Sequence, residues 1–156
     1  MQKEAVAITD AEWEVMRVVW SEGETTSKTI SAYLNKALDW KEATTKTLIG
    51  RLVNKGALKT EKDGRRFIYS ALISEDSRVE YATREVFDHV CATRKGHYVN
   101  DLVDNMNLTQ DDIAQLIQTL ENKKESAPKD IMCECADGQC DCHVSQQLDK
   151  EEHHHG

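Results

Sequence analysis

Apolar residues recur at helical spacing through the first third of the chain. Thr9-x-x-Glu12 reads as a capping box. Trp13, Met16, Val19 and Trp20 follow it on one stripe, and Gly23 ends the helix. A second helix opens near Thr26 or Ser27 and runs through Ile30, Leu34 and Leu38. A third covers residues 44–55, with Leu48, Leu52 and either Thr45 or Ile49 facing inward, and Gly56 stands where it must stop. Each helix carries one apolar stripe, so the three have to pack on one another.

The period then changes from helical to alternating. ALKTEK and RFIYSALI read as two strands joined at Asp63-Gly64, a strong hairpin signal. Three helices followed by a hairpin predict a mainly α fold with a small β-hairpin. This is the winged helix-turn-helix, here over residues 1–73.

Helical spacing returns at Ser74, with Val79, Ala82, Val86, Val90 and Phe87 toward one side. A short helix around residues 99–106 follows, and Thr109-x-x-Asp112 caps another through Ile113, Leu116, Ile117 and Leu120. These helices over 74–124 are too few to enclose a core, so a second copy is the expected partner. Two-fold homodimers are the commonest assembly. ENKKESAPKD is polar and holds the one proline, Pro128, so residues 125–132 read as a linker. A cysteine-rich tail over 133–143 and a polar tail over 144–156 complete the chain. No internal repeat is visible.

No apolar run approaches the ~20 residues that a membrane span needs. The N-terminus lacks the apolar core of a secretory signal. A cytoplasmic protein with no membrane partner is therefore expected.

Charge changes this picture. The net charge is -8, which by itself argues against nucleic acid. The charges are segregated, however. Residues 1–72 hold 12 Lys and Arg against 10 Asp and Glu, while the remainder holds 8 against 18. A local basic surface matters more for phosphate than the overall balance. The third helix would be the recognition helix, whose N-terminal residues meet base edges in the major groove. Thr44, Thr47 and Arg51 share one face by their spacing. Threonine can bond bases or phosphates, and arginine is the commonest bidentate reader of guanine. Lys46, Asn54 and Lys55 flank that face and suit phosphates. Lys62, Arg65 and Arg66 place charge on the wing. The plainer alternative is a solvated helix with ordinary caps.

The chemistry concentrates in MCECADGQCDCH, where Cys133, Cys135, Cys140 and Cys142 form Cys-x-Cys, a four-residue gap and Cys-x-Cys. A disulfide clasp conflicts with a reducing cytosol. An unligated tail leaves four clustered thiols unexplained. Metal binding remains, and thiolate suits Zn(II) and Cu(I). Four sulfurs complete one tetrahedral zinc. The tight Cys-x-Cys pairs can also bridge several small Cu(I) ions, and Gly138 lets both arms turn toward one site. Glu134, Asp137 and Asp141 add negative charge, with no Lys or Arg between Ile131 and Val144. His143 is read as a bystander, Cys91 as a small apolar packing residue, and His89 and His97 as surface residues. His153, His154 and His155 allow either weak metal binding or an origin outside the native chain. An enzyme is not expected, because four cysteine ligands leave zinc no open position and no nucleophile–base pair is visible.

WKEATTKTLIGRLVNKGAL at 40–58, within a pattern extending over 6–124, resembles the BlaI/MecI group of winged-helix repressors. The added cysteine tail is similar to that of the copper-responsive CopY-type branch of the group. The resemblance implies a homodimer on an inverted-repeat operator before copper-export genes. It implies that the zinc form binds DNA, and that Cu(I) displaces zinc from Cys133, Cys135, Cys140 and Cys142 and releases the operator. It carries DNA contact onto Thr44, Lys46, Thr47 and Arg51. A copper chaperone delivering Cu(I) is a further expected partner. Proteolytic inactivation, as in BlaI and MecI themselves, ranks second because those repressors lack the tail. A copper buffer with an incidental helical domain is the non-repressor alternative. Zinc is expected to tie two tails together, or a tail to the dimer helices, and so to set the spacing of the DNA-reading domains.

Overall fold

The computed structural model of the chain describes residues 6–142. His143 and the polar tail with His153, His154 and His155 lie outside the described residues. The chain divides into two compact units, Met1–Arg84 and Glu85–Gly156.

The first unit contains α1 (Asp10–Glu22), β1 (Glu24–Thr25), α2 (Ser27–Leu38), α3 (Glu42–Asn54), β2 (Leu58–Asp63) and β3 (Arg66–Ala71). Its core is Val15, Met16 and Val19 from α1, Ile30 and Leu34 from α2, and Leu48, Ile49 and Leu52 from α3, closed by Ala57, Leu58 and Ile73. Met16, Val19, Ile30, Leu34, Leu48 and Leu52 of the expected stripes are therefore buried and Thr45 and Ile49 are both inward, but Leu38, at the last position of α2, is 42% exposed. Trp13 and Trp20 are half-buried and meet edge to face, with centroids 6.0 Å apart. The Trp20 indole N–H donates to the Ile73 carbonyl at 2.9 Å.

One cap differs in detail from its sequence signature. At Thr9 the hydroxyl accepts from the Glu12 N–H at 3.2 Å, as expected of an N-cap. The Glu12 carboxylate, though, takes the Thr9 hydroxyl and is drawn inward, leaving the residue only 1% exposed. The reciprocal capping box forms at Thr109 and Asp112 instead. At the end of α3, the Gly56 N–H bonds Val53 O at 3.1 Å and the Ala57 N–H bonds Leu52 O at 3.0 Å. Those two bonds make a Schellman motif, and Gly56 takes the positive φ of 79° that it requires.

The sheet has order β1-β3-β2 and is antiparallel throughout. Asp63 pairs with Arg66, so the hairpin loop is Gly64-Arg65 and Asp63 belongs to the strand. This shifts the expected turn by one residue. The third strand, β1, has only two residues and pairs Glu24 with Ser70 and Thr25 with Tyr69. Two residues are too short to show an alternating pattern, which is why the sequence suggests a two-stranded wing only.

Helix α4 (Glu75–Asp88) begins in the first unit. Its Arg78 is buried, with the guanidinium 5.1 Å from the Trp13 ring and 5.3 Å from the Tyr81 ring. The first unit thus gains a stacked cation at its edge.

In the second unit a single 3-10 turn, Ala92–Arg94, leads into α5 (Lys95–Asn105), followed by α6 (Gln110–Lys124). Neither helix has a buried residue. Val99, Leu102, Val103 and Met106, then Ile113, Ile117 and Leu120, all stand exposed. No helix among the described residues is long and apolar enough to cross a membrane.

Candidate metal centre and nucleic-acid interface

A three-residue turn joins α2 to α3 and sets the attitude of the latter. Asp39 closes α2 in the left-handed region at φ 57°, and the Asn35 amide donates to the Trp40 carbonyl at 3.1 Å. With Thr45, Leu48, Ile49 and Leu52 buried, the opposite face of α3 is left outward. Thr44, Lys46, Thr47 and Arg51 are all exposed on it. The Thr47 hydroxyl donates back to Ala43 O at 2.9 Å, and Lys46 pairs with Glu42 at 2.9 Å in solvent. Such an exposed i,i+4 pair contributes only a few tenths of a kcal/mol, so Lys46 exchanges partners readily. On the wing Lys62, Arg65 and Arg66 are exposed, Arg66 lying 3.4 Å from Asp63.

Lys55 has a different setting. Its ammonium lies 2.7 Å from both carboxylate oxygens of Glu12 and 3.0 Å from Ala7 O. Lys55 thus forms a structural pair, as a buried carboxylate demands a cation nearby.

The second unit gathers the cysteines. The turn Ala136–Gln139 closes through Gln139 N–H to Ala136 O at 3.1 Å, and Gly138 sits in it at φ 82°. A side chain at that φ would be strained, so glycine is what lets the two Cys-x-Cys arms fold back on each other. Cys133 Sγ then lies 3.3 Å from Cys140 Sγ, and Cys140 Sγ 2.9 Å from Cys142 Sγ. Cys91 joins them. Its sulfur is 3.2 Å from Cys142 Sγ, 3.6 Å from Cys133 Sγ and 3.1 Å from the Thr93 hydroxyl. The expectation that Cys91 packs as an apolar residue is overturned, since its contacts are sulfur and hydroxyl and it is only half-buried.

Cys91, Cys133, Cys135 and Cys140 offer sulfurs that all lie within 4.8 Å of one another. Two thiolates on one tetrahedral zinc, at about 2.3 Å each, stand about 3.8 Å apart. The donor set and its spacing therefore fit a soft ion with little rearrangement. Thiol acidities diverge within the cluster. The Thr93 hydroxyl, with help from Cys142, draws the Cys91 thiol down to about 6. Cys142 lowers Cys140, and Cys140 raises Cys142, as thiols sharing protons do.

The penicillinase repressor pattern matches residues 8–122. The chain belongs to the penicillinase repressor family. It is 31% identical over 122 residues to the penicillinase repressor of Bacillus licheniformis, covering 78% of this chain and 95% of that one. It is 48% identical over 135 residues to an uncharacterised 16.5 kDa protein encoded in the ptsI 3′ region of Latilactobacillus sakei, covering 86% and 92%. A solved CopR repressor structure is 48% identical over 44% of this chain and 99% of that chain, with a TM-score of 0.38.

Penicillinase repressor family members are DNA-binding transcriptional repressors, not enzymes. Thr44, Lys46, Thr47 and Arg51 stand outward on α3, and Lys62, Arg65 and Arg66 outward on the wing. Sequence reasoning missed Cys91 because one cysteine beside Val90 on a helical stripe carries no metal spacing. A Cys-Ala-Thr step just outside a helix was the available hint.

Proposed function

We propose that this protein is a metal-responsive repressor of copper-export genes, which binds an inverted-repeat operator as a homodimer in its zinc form. The tail sulfurs exchange zinc for Cu(I), and the dimer then leaves the DNA. The carrying observation is the convergence of the two Cys-x-Cys arms in a chain whose family represses transcription. Thiolates select soft ions, which favours zinc and Cu(I) over magnesium or calcium. When bound, the ion supplies a rigid cross-link among otherwise separate segments.

In this reading residues 1–73 are the DNA-binding domain, 74–124 the dimer helices, 125–132 the linker and 133–143 the sensor. Thr44, Lys46, Thr47 and Arg51 face the major groove, and Lys62, Arg65 and Arg66 lie along phosphates. Lys55 supports the fold instead. The homodimer is supported by α5 and α6, whose apolar residues are exposed in one copy and would be covered by a second. A copper-delivering chaperone and a cytoplasmic location follow from the same reading.

The test is an operator gel shift at stated salt, with zinc added first and Cu(I) afterwards. Zinc should strengthen the shift and Cu(I) abolish it. A shift indifferent to Cu(I) but lost with a zinc chelator would remove copper from the reading. No specific shift under any metal would favour a copper buffer.

A further inference from the structure

We infer that Cys91 is a fifth thiolate of the metal centre, so that metal ligation fastens the cysteine tail to the segment opening α5. This rests on the metal reading above and extends it to a residue outside the tail motif.

The sulfur geometry carries it. Cys91 stands 42 residues before Cys133 and 51 before Cys142, yet touches both sulfurs. Local chain geometry cannot produce that meeting, as it does for the Cys-x-Cys neighbours. The compact set of four mutually close sulfurs includes Cys91 alongside Cys133, Cys135 and Cys140. Nor is Cys91 placed as an apolar filler, since a thiol and a hydroxyl are its neighbours. The hollow beside it is lined by Lys95 together with Glu134 and Cys135, so a cation stands near the charge that clustered thiolates would carry.

Donor counting gives the fifth sulfur a use. A tetrahedral zinc takes four thiolates and leaves one of the five in reserve. Two three-coordinate Cu(I) ions need six donor positions. Four sulfurs meet that need only if two of them bridge, whereas five meet it with a single bridge. Cys91 therefore eases exchange, because an incoming ion finds a sulfur that the resident ion does not hold. It also fixes the tail to the start of α5, which a site within the tail alone would not do.

The test uses the full-length reduced protein titrated with Co(II), which reports bound thiolates through sulfur-to-cobalt charge-transfer absorption. Four proteins are compared: wild type, Cys91→Ser, Cys142→Ser and the double variant. If Cys91 is a ligand, Cys142→Ser keeps the wild-type intensity per ion, because four sulfurs remain. The double variant then loses about a quarter of it. The inference is overturned if Cys142→Ser alone loses that quarter and adding Cys91→Ser lowers it no further. Wild type lacking any thiolate band would overturn the metal reading itself, a result distinct from the first. Thermal melting of the winged domain checks that each variant is folded.

Discussion

Lys55 Nζ lies 2.7 Å from the carboxylate of Glu12, joining the end of α3 to the first turn of α1. The Glu12 side chain is 1% exposed and that of Lys55 34%. Removing the cation leaves a buried carboxylate without its partner. Losses of this kind reach 3–5 kcal/mol for fully buried pairs, so roughly 2 kcal/mol is expected here after allowing for solvent at Lys55. Lys55→Met should lower stability by that amount in urea unfolding. A Glu12→Leu/Lys55→Met double variant should recover much of it. A single variant as stable as wild type would show that the pair is idle.

The same pairing sets Lys55 apart from the exposed cations of α3 and the wing. Lys62→Ala should weaken operator binding and reduce the slope of log K against log salt by about 0.9. Arg51→Ala should cost about 1–3 kcal/mol on operator DNA and less on random sequence. Lys55→Met should leave the salt slope as it was. A lowered slope for Lys55→Met would place that ammonium on a phosphate.

Gly56 closes α3 with φ 79° and open space around its Cβ position. Gly56→Ala introduces no clash, yet the left-handed conformation costs an ordinary residue about 1–2 kcal/mol. A thermal melt should show that loss. An unchanged melting temperature would mean the Schellman turn had relaxed into another cap.

Ile117 and Leu120 are 50% and 59% exposed on α6. Ile117→Asp combined with Leu120→Asp should convert a dimer into monomers in analytical ultracentrifugation and weaken binding to a two-half-site operator. Binding to a single half-site should change little. A variant that sediments as a dimer would place the dimer surface elsewhere.

Asp112 closes the capping box at the start of α6. Its carboxylate accepts from the Thr109 N–H at 3.0 Å, and this first, then the Thr109 side chain, holds it below the ordinary 3.8. A depressed carboxyl stabilises the folded form above its unfolded value and loses that effect as pH falls through the lower one. The onset of α6 should therefore loosen only in acid below the ordinary carboxylate range. Titration of Asp112 followed by NMR should give a midpoint below 3.8, moving back toward it in Thr109→Ala. A midpoint at the ordinary value in wild type would show that the capping box is open in solution.

The sequence by itself determined what adjacent residues decide. The inward stripes of α1, α2 and α3 followed from spacing, because a helix must bury one face. Thr9, Thr26 and Thr109 cap where their hydroxyls reach the next turn. The two strands and their glycine turn, and the soft-metal chemistry of the tail, were equally local. Tertiary structure alone decided which polar groups meet across the chain. Glu12 and Lys55 are 43 residues apart, and nothing in either neighbourhood announces that one is buried and the other committed to it. Strand β1 exists only because β3 offers an edge to two residues too few to signal themselves. Cys91 joins sulfurs 42 and 51 residues further on. Periodicity records which side of an element faces the core, but not which distant side chain it finds there.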